Sequence, residues 1–519
     1  MNAAFLPLLA PGALLASAGL SFLRPGRRSR QSLRHSEFAL MGALGVALAS
    51  IGLVIIRGPM TSPLLGAAGI GLSLRLDSVS VIMFVLVAFI GWVVVRYAAS
   101  YLEGESRQGA FTGWLCLTLA SVFLLVLAGG LLQLLLAWIA TSLFLQRLLL
   151  FYPQRVAAQR AARKKFLTAR ISDVALLGAA ALLFIDHGTA DIASIQGAVR
   201  AGGGSILTPV AAGLLMLAGL IKSAQFPVHG WLTEVMETPT PVSALLHAGV
   251  INAGGFLLIR FADVMLRAPG VLAALAMIGG FTALFGCLVM LTQPAVKTSL
   301  AWSTVAQMGF MMFECGLAVF PIALLHIVAH SLYKAHSFLV SGSAIETIAA
   351  IRRPGPIATP DAGAVLRAFL LGLAMYTLVG FAFGFEHKSP QAIALGAILI
   401  FGVAYLLAQG LADAAPRALT RMTAIYALAA SVSYFALQVL AAWLTSGTLP
   451  AAPVPGPLEW GLIVLAVSSF GLLAVLQAMF PLWAFHPAFA GLRVHVSNGL
   501  YANAAFDRLL GGWTVRASS

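Results

Sequence analysis

The sequence predicts an all-α polytopic membrane protein, and two observations support this fold class. Of the 519 residues, 60% are hydrophobic and only 9% are charged, whereas a soluble domain carries about a quarter charged residues. The apolar residues also form long continuous runs, without the alternation that marks the strands of a membrane barrel. Because backbone polar groups in lipid need internal hydrogen-bond partners, such runs are expected to be helices.

About fifteen apolar runs occur along the chain, and a spanning helix needs about 20 residues. The runs begin near Ala4, Phe38, Ser78, Phe111, Gly130, Phe166, Ile206, Pro239, Val271, Thr298, Val319, Ala364, Gln391, Met422 and Trp460. No soluble domain of useful size fits between them. We therefore expect about fifteen transmembrane helices in contact with the lipid bilayer.

The formal net charge of +14 reflects membrane topology and does not indicate a nucleic-acid partner. Basic residues cluster between the first two runs and again between the fifth and sixth, and clusters in alternating loops are typical of cytoplasmic loops. The clusters comprise Arg24, Arg27, Arg28, Arg30 and Arg34, then Arg155, Arg160, Arg163, Lys164 and Lys165. The pattern predicts an N-terminus outside the cytoplasm and no nucleic-acid binding.

The three cysteines carry no metal-binding pattern. Cys116, Cys287 and Cys315 lie in apolar runs and form neither a CxxC pair nor a Cys/His spacing that suits zinc. The chain also has no phosphate-binding loop of the Walker type. We expect packing roles for the cysteines, and neither a metal nor another cofactor in this chain.

Ionisable side chains within apolar runs are costly and usually functional, so they are the candidate site residues. Lys222 ends an apolar run shortly before Pro227, which lacks an N–H and breaks the helix. A lysine in a medium of low dielectric is able to exchange its proton. Asp173 lies on the preceding helix, on the same face as Arg170 three residues earlier. Asp173 is either the counter-ion of Lys222 or half of a static pair with Arg170.

Two further ionisable residues flank the proline-marked stretch TPTPVSALLHAG. Glu234 precedes this stretch, and His247 falls about two turns into the next helix. A histidine can carry a proton near neutral pH. We expect both residues to connect Lys222 to the cytoplasm or to the next site. The alternative for His247 is a buried group whose hydrogen bonds are satisfied.

A third set lies in HIVAHSLYKAHSFLVSGS. His326, His330 and Lys334 are spaced by four residues and therefore line one face of a helix. Two histidines alone are a weak zinc signal, and a cation one turn further would repel a metal ion. A proton relay is favoured, with packing or hydrogen bonding as the alternative. Lys297 opens KTSLAWSTVAQMG, which is another helix with polar residues.

The stretch FGFEHKSPQ contains Glu386, His387 and Lys388 between two apolar runs. Judged by composition, it is a loop between helices. Together, the protonatable groups form a row on successive helices near broken segments, and discontinuous helices are typical of secondary transporters. The residues therefore predict a translocator of protons or other cations.

Four blocks of the sequence resemble the antiporter-like subunits of respiratory complex I and of Mrp-type cation/proton antiporters. They are RLDSVSVIM, KSAQFPVHGWLTEVMETPTPVSALLHAGVINAGG, KTSLAWSTVAQMG and HIVAHSLYKAHSFLVSGS, and the resemblance extends from Arg75 to Lys388. It implies that Lys222 is the buried lysine of a broken seventh helix, faced by Asp173. It also implies that Lys388 belongs to a second broken helix, with Glu386 beside it as a distal gate. The central polar line would comprise Lys297, His326, His330 and Lys334.

The resemblance further implies an antiporter-like fold with two inverted five-helix repeats. We expect N-terminal helices one to three in residues 1–110 and a first repeat in 111–265. A second repeat is expected in 266–415, and C-terminal helices with an amphipathic tail in 416–519. The tail segment 485–513 is expected either at the membrane surface or against a partner.

One departure separates this sequence from complex I. The family usually has a tryptophan followed by a functional glutamate on the fifth helix, but here Trp138 is followed by Ile139. This loss, together with the short tail, resembles the membrane subunits of DAB-type inorganic-carbon accumulation complexes of bacterial inner membranes. In that branch, cation flow, expected to be inward proton flow, is coupled to hydration of carbon dioxide to bicarbonate. The zinc chemistry belongs to a large cytoplasmic, carbonic-anhydrase-like partner subunit. The alternatives are a subunit of a complex I-like NADH or ferredoxin dehydrogenase and an Mrp-type sodium/proton antiporter subunit.

Overall fold

The computed structural model describes residues 3–26, 30–67, 70–341, 360–412, 415–483 and 486–509. Of the first basic cluster, Arg27 and Arg28 lie outside these described residues, as do the ends of the predicted tail segment. The described chain is almost entirely helical, which confirms the predicted fold class.

The first six long helices are α1 (Leu9–Leu23), α2 (Arg30–Arg57), α3 (Ser78–Tyr101), α4 (Gln108–Val126), α5 (Leu131–Leu149) and α6 (Val156–His187). Between α2 and α3 the chain forms β1 (Met60–Thr61), β2 (Leu65–Ala67), β3 (Ile70–Leu72) and β4 (Arg75–Leu76). β1 pairs with β4 and β2 pairs with β3, in both cases antiparallel.

The middle of the chain contains α7 (Ile192–Arg200), α8 (Leu207–Lys222), α9 (Gly230–Thr233), α10 (Thr240–Ala248), α11 (Ala253–Arg260), α12 (Ala262–Leu266), α13 (Pro269–Leu291), α14 (Val296–Gly316) and α15 (Phe320–Ser341). The remaining helices are α16 (Ala362–Ala382), α17 (Pro390–Gly410), α18 (Arg417–Leu444), α19 (Pro457–Ala478), α20 (Phe480–Trp483), α21 (Ala490–Ser497) and α22 (Ala502–Leu509).

Every predicted apolar run coincides with helix. Twelve described spans are long and apolar enough to cross a membrane. α8 is shorter, and α14 and α15 carry more polar side chains, so these three stand apart from the twelve. The multi-pass membrane architecture is therefore confirmed. The number of about fifteen crossings, the repeat boundaries and the side on which the N-terminus lies stay predictions.

The predicted helix break after Lys222 is present. α8 ends at this residue, and Ala224 adopts a left-handed backbone with φ of 51°. The Gln225 N–H donates a hydrogen bond back to the Leu220 carbonyl at 3.1 Å, which satisfies one of the free carbonyls at the helix end. The chain then passes Pro227 before it forms α9.

A second irregularity follows directly after His247. α10 and α11 are separated by Gly249 and a 3₁₀ turn at Val250–Asn252, within an almost wholly buried span. The Ser223 hydroxyl donates to the Ile251 carbonyl at 2.9 Å and thereby joins the two irregular segments. A side chain at Gly254 would meet the Gly219 carbonyl oxygen at 2.5 Å, so glycine is what allows α11 to approach α8.

For Lys388, composition indicated a loop between helices and the resemblance implied a second broken helix, and the latter assignment stays a prediction. α16 and α17 are both continuous and pack antiparallel, and the Tyr376 hydroxyl donates to the Ile393 carbonyl at 2.8 Å. Lys388 lies in the connection between them. Gly384 has a φ of 69°, and Ser389 caps α17, so the local sequence terminates one helix and starts another.

A buried ion pair joins the start of α3 to the end of α11. Asp77 caps α3 by accepting a hydrogen bond from the Ser80 N–H at 2.9 Å. Its carboxylate also lies 2.6 Å from the Arg260 guanidinium at the end of α11, and 2.9 Å from Arg75. Burial favours a raised pKa, but the charges of Arg260 and Arg75 outweigh it and hold the Asp77 pKa below its ordinary value.

The C-terminal helix α22 docks against the broken helix. Lys164 on α6 donates to Glu234 Oε1 at 2.6 Å and to Asn503 Oδ1 at 2.7 Å, and it pairs with Asp507 Oδ1 at 2.5 Å. Two of these oxygens accept hydrogen bonds from the ammonium group, and the Asp507 carboxylate adds an ion pair. A side chain at Gly230 would overlap Asn503. Within the described residues, the tail therefore packs on its own chain.

We predict that breaking the Asp77–Arg260 pair destabilises the bundle by about 3–5 kcal/mol, because an unpaired charge stays buried. Asp77→Ala and Arg260→Ala should each lower the melting temperature of the detergent-solubilised protein. The double variant should lose less than the sum of the single losses. Arg75→Ala, which removes a less buried partner, serves as the control. Strict additivity in the double variant would contradict this account.

We also predict that Asp507→Ala combined with Asn503→Ala releases the C-terminal helix, since the Lys164 ammonium then loses two of its three oxygen partners. Limited proteolysis should cleave the chain before α22 faster than in the unmodified protein. Arg508→Ala, at an exposed position of the same helix, should leave the rate unchanged. Equal cleavage rates in all three proteins would show that these contacts do not hold the tail.

Candidate functional site

Lys222 occupies the end of α8, where the helix stops. Its side chain is buried, and its ammonium nitrogen lies 4.3 Å from the centre of the Trp138 ring on α5. A cation over an aromatic face is stabilised by the ring quadrupole. Within the described part of the chain, no carboxylate forms an ion pair with Lys222. The Trp138 ring, together with the more distant charge of Asp173, therefore stabilises the Lys222 ammonium.

Asp173 satisfies both interpretations that the sequence left open. Its carboxylate lies 2.8 Å from the Arg170 guanidinium, one turn earlier on α6. It also lies within electrostatic reach of Lys222 and of Lys165. Among the residues that the structure describes, Asp173 is the carboxylate within electrostatic reach of these three cations. Its role in translocation stays a prediction.

The structure corrects the expectation that Lys164 and Lys165 belong to a cytoplasmic loop. Both lie within α6 and are buried. α6 has 32 residues and is about 48 Å long, well above the hydrocarbon thickness of about 30 Å. Its basic start therefore extends beyond the apolar layer, while the two lysines further along turn inward.

Lys165 lies next to Lys222. Its ammonium group donates to the Ser142 carbonyl at 2.6 Å and to the Ser142 hydroxyl at 2.9 Å. A cavity of about 20 Å³, lined by Ser142, Lys165, Lys222 and Trp231, opens between them. The sequence pattern did not single out Lys165, because nothing in the sequence separates a lysine at the end of a basic run from the rest of that run.

Glu234 lies on the side of the break away from Lys222. Through Lys164 it joins α6, the broken helix and α22 in one network. His229, also buried, stands within electrostatic reach of Lys164 and packs 4.9 Å from the Trp302 ring centre. These groups line the segment between the break and the C-terminal helix.

His247 belongs to a second buried set. Its Nδ1 lies 3.1 Å from the Thr304 hydroxyl of α14, and its ring stacks on Phe338 at 4.2 Å. The Lys334 charge acts on His247 at longer range. The geometry therefore joins α10 to α14 and α15 at the irregularity after His247.

The three residues of the predicted central face lie in sequence along α15. Lys334 is fully buried and donates to the Ser303 hydroxyl at 2.7 Å. His330 is buried, and neither ring nitrogen has a hydrogen-bond partner within the described residues. The His326 ring centre lies 6.0 Å from that of His330. The common helical face predicted from their spacing is confirmed.

An acid that the sequence analysis overlooked completes this row. Glu314 on α14 is buried, and its carboxylate lies 2.9 Å from His326 Nδ1. A cavity of about 470 Å³ is lined by Glu314, His326 and His330 together with apolar side chains and Tyr434. The row of polar side chains therefore runs from Lys334 through His330 and His326 to the Glu314 carboxylate, which lines this cavity. Glu314 is an isolated acid in MMFECG. No periodic pattern therefore distinguished it from a charged residue at the end of a helix.

Four predicted residues lie apart from these sets. Lys297 is half-buried in the first turn of α14, away from the end that carries Glu314. Glu386 and His387 are exposed and lie 3.7 Å apart. Lys388 is half-buried 5.4 Å from the Phe435 ring centre, and burial lowers its pKa. Their membership of one path with Lys334 stays a prediction.

The described side chains thus form two buried polar sets on either side of α10 and α11. One surrounds the break after Lys222, and the other extends along α14 and α15. Within the described ranges, no group of three or more His, Cys, Asp or Glu residues is placed to hold a metal ion. Amines, imidazoles and isolated carboxylates at membrane depth can each take up and release one proton.

Two family models match the chain. Residues 128–353 match the transmembrane family of NADH:quinone oxidoreductase and the Mrp antiporter. Residues 65–112 match the N-terminus of chain 5 of NADH-ubiquinone oxidoreductase, complex I. The first match contains both buried polar sets from Lys165 to Lys334.

Curated relatives and a solved structure extend the similarity to nearly the whole chain. The "Probable inorganic carbon transporter subunit DabB2" of Halothiobacillus neapolitanus is 37% identical, over 97% of this chain and 93% of the relative. The NADH-quinone oxidoreductase subunit L of Mycobacterium tuberculosis is 33% identical, over 79% of this chain and 64% of the relative.

The solved Mrp complex from Dietzia sp. DQ12-45-1b contains a chain with a TM-score of 0.63 and 24% identity, covering 99% of this chain and 61% of that one. This likeness shows a shared antiporter-like fold. The 37% identity to the DabB2 subunit, over nearly the full length of both chains, shows the family. The chain belongs to the family of DabB inorganic carbon transporter subunits, within the antiporter-like membrane subunits of complex I and Mrp.

Proposed function

We propose that this chain translocates protons across the bacterial inner membrane, with its N-terminus in the periplasm, and thereby energises the accumulation of inorganic carbon. The observation that carries the proposal is the buried Lys222 ammonium, which lies at a helix break and has no ion pair with any residue that the structure describes. Such a group is costly to keep in a membrane bundle. Movement of a proton through it gives a functional reason to keep it there.

The composition of the two buried sets favours protons over sodium. Sodium is a hard cation, and hard cations prefer several oxygen ligands in one place. In the described ranges, the only carboxylate near Lys222 is Asp173, which already pairs with Arg170. The Lys334 row offers amine and imidazole nitrogens and one carboxylate, Glu314. These groups suit stepwise proton exchange.

The chemistry of carbon dioxide belongs, in this proposal, to a second subunit. That partner is a large cytoplasmic, zinc-dependent, carbonic-anhydrase-like protein of the DabA type. Inward proton flow through this chain would drive one-way hydration of carbon dioxide to bicarbonate in the partner. The name of the Halothiobacillus neapolitanus relative supports a role in inorganic carbon transport. This chain itself acts in energy coupling and is not an enzyme.

Tagged purification in mild detergent, with subunit identification and metal analysis, tests the partnership. We expect one large zinc-containing soluble partner and neither flavin nor iron–sulfur protein. Several antiporter-like membrane subunits with redox cofactors would favour a complex I-like dehydrogenase instead. The same set without redox cofactors would favour an Mrp-type antiporter. Either result would overturn the proposed coupling.

We predict that Lys222→Ala lowers inorganic carbon accumulation by about 100-fold, the scale of losing a proton-transfer group. The substitution removes one buried side chain that makes no ion pair, so the complex should still assemble. Accumulation of labelled inorganic carbon in cells, with co-purification of the partner as the assembly check, provides the measurement.

His35→Ala is the matched control, because this exposed histidine on α2 belongs to neither buried polar set. It should accumulate carbon like the unmodified protein. Accumulation at the unmodified level in Lys222→Ala would remove Lys222 from the path and would contradict the proposal.

A further inference from the structure

We propose that Glu314 is the residue through which the row from His326 to Lys334 takes up protons, and that it passes them directly to His326. This inference rests on the proposed proton translocation and adds one proton-carrying residue to it. Its basis is a hydrogen bond between two largely buried ionisable side chains, in which Glu314 Oε2 lies 2.9 Å from His326 Nδ1. The two groups are in contact, so no third group is needed between them.

Glu314 lies at the end of this row that is away from the cytoplasm. The basic start of α6 indicates the cytoplasmic side, and Lys164, in the first third of α6, holds Asn503 of α22. Ser497, at the end of α21, accepts a hydrogen bond at 3.1 Å from Gln293, in the connection that leads into α14. The start of α14 therefore lies on the cytoplasmic side. α14 has 21 residues and is about 32 Å long, so Glu314, near its other end, lies toward the periplasm.

The surroundings of the Glu314–His326 pair favour one shared proton. Among the residues that the structure describes, His326 is the only group that forms an ion pair with Glu314. The cavity that both residues line is mainly apolar, and such surroundings penalise a net charge. A carboxyl group and an imidazole with one proton between them carry no net charge in either arrangement. We therefore expect the pair to retain one proton at rest.

The transfer between the two residues is balanced in atoms and charge. With the proton on the carboxyl group, the Glu314 O–H donates to Nδ1 of a neutral His326. When the proton moves, the O–H bond breaks and an N–H bond forms, which leaves a carboxylate beside an imidazolium. The same hydrogen bond suits both arrangements, because a carboxyl oxygen and an imidazole nitrogen each donate or accept according to their protonation.

The next residue of the row has free positions for a proton. His330 lies one turn further along α15, and its ring centre is 6.0 Å from that of His326. Neither ring nitrogen of His330, nor Nε2 of His326, has a hydrogen-bond partner within the described residues. Buried polar atoms are usually hydrogen-bonded, so these free nitrogens call for a functional explanation. Onward movement of a proton from His326 toward Lys334 supplies one.

Glu314→Gln and Glu314→Asp test this assignment by proton flux into proteoliposomes that contain the purified complex. Glutamine keeps an oxygen that accepts a hydrogen bond from His326 but binds no proton, whereas aspartate keeps the carboxylate. We expect Glu314→Gln to lower flux by about tenfold or more, and Glu314→Asp to retain more flux than Glu314→Gln. Unmodified flux in Glu314→Gln would show that Glu314 only ties α14 to α15 and would overturn the inference. Flux in Glu314→Asp no higher than in Glu314→Gln would also overturn it.

His326→Gln tests the other half of the pair. Its amide still donates a hydrogen bond to the Glu314 carboxylate but exchanges no proton, so flux should again fall about tenfold. The double variant of Glu314→Gln and His326→Gln should lose little more than either single variant, because the two residues act as one unit. Losses that multiply would contradict this account.

Cys315→Ala is the matched control, because it removes a buried group from the position next to Glu314. It should leave the flux unchanged. A loss comparable to that of Glu314→Gln would show that local packing, and not proton exchange, explains the result, and it would overturn the inference.

Lys222→Ala in the same assay separates this inference from the proposed function. Absence of proton flux in the unmodified complex contradicts both, and unmodified flux in Lys222→Ala contradicts the proposed function. Loss of flux in Lys222→Ala with full flux in Glu314→Gln contradicts only the assignment of Glu314. Melting temperatures show whether each variant folds. If Glu314→Gln fails to fold, His326→Gln decides, and unmodified flux in that variant would overturn the inference.

Discussion

The rest of the site depends on one constraint: ammonium groups are buried in a helical membrane bundle that offers them few carboxylates. The effective cost of removing an ion from water is several kcal/mol even after relaxation. The structure meets this cost in three ways. Lys164 has three oxygen partners, Lys334 has a serine hydroxyl, and Lys222 has an aromatic face. Lys222, the least compensated of the three, lies where the helix ends.

The helix irregularities and the lysines belong together physically. A broken helix exposes carbonyls and leaves room for water, and both stabilise a cation that a regular apolar helix would exclude. The break after α8 and the turn between α10 and α11 are joined by the Ser223–Ile251 hydrogen bond. The docked α22 adds a third element, because it shares Lys164 with Glu234. The C-terminal helix and the broken segment therefore contact the same buried cation.

Much of the fold follows from the sequence because lipid permits few backbone arrangements. The apolar runs located the helices, and Pro227 located the break after Lys222. The spacing of His326, His330 and Lys334 placed them on one face, since a continuous helix has a fixed period. For Lys388, composition indicated a loop and the resemblance implied a broken helix, because a glycine and a Ser-Pro pair mark both breaks and ordinary helix connections. Only packing distinguishes the two, and α16 and α17 pack antiparallel.

The parts that the sequence analysis missed depend on contacts between distant segments. Lys165 was grouped with a basic loop, because the length of α6 and the position of Ser142 are tertiary facts. Asn503 and Asp507 reach Lys164 across more than 300 positions of the chain. Glu314 gained its meaning only from His326 on the next helix. Such contacts leave no periodic signal in a single sequence.

The most direct test of the central claim is proton flux into proteoliposomes containing the purified complex, recorded with an internal pH-sensitive dye. A pH gradient and a sodium gradient are imposed in separate experiments, each at zero membrane potential. The account predicts flux that follows the pH gradient and is unchanged by sodium, because the buried groups exchange protons and offer few oxygen ligands. Flux that requires the sodium gradient, or its absence under both gradients, would contradict it.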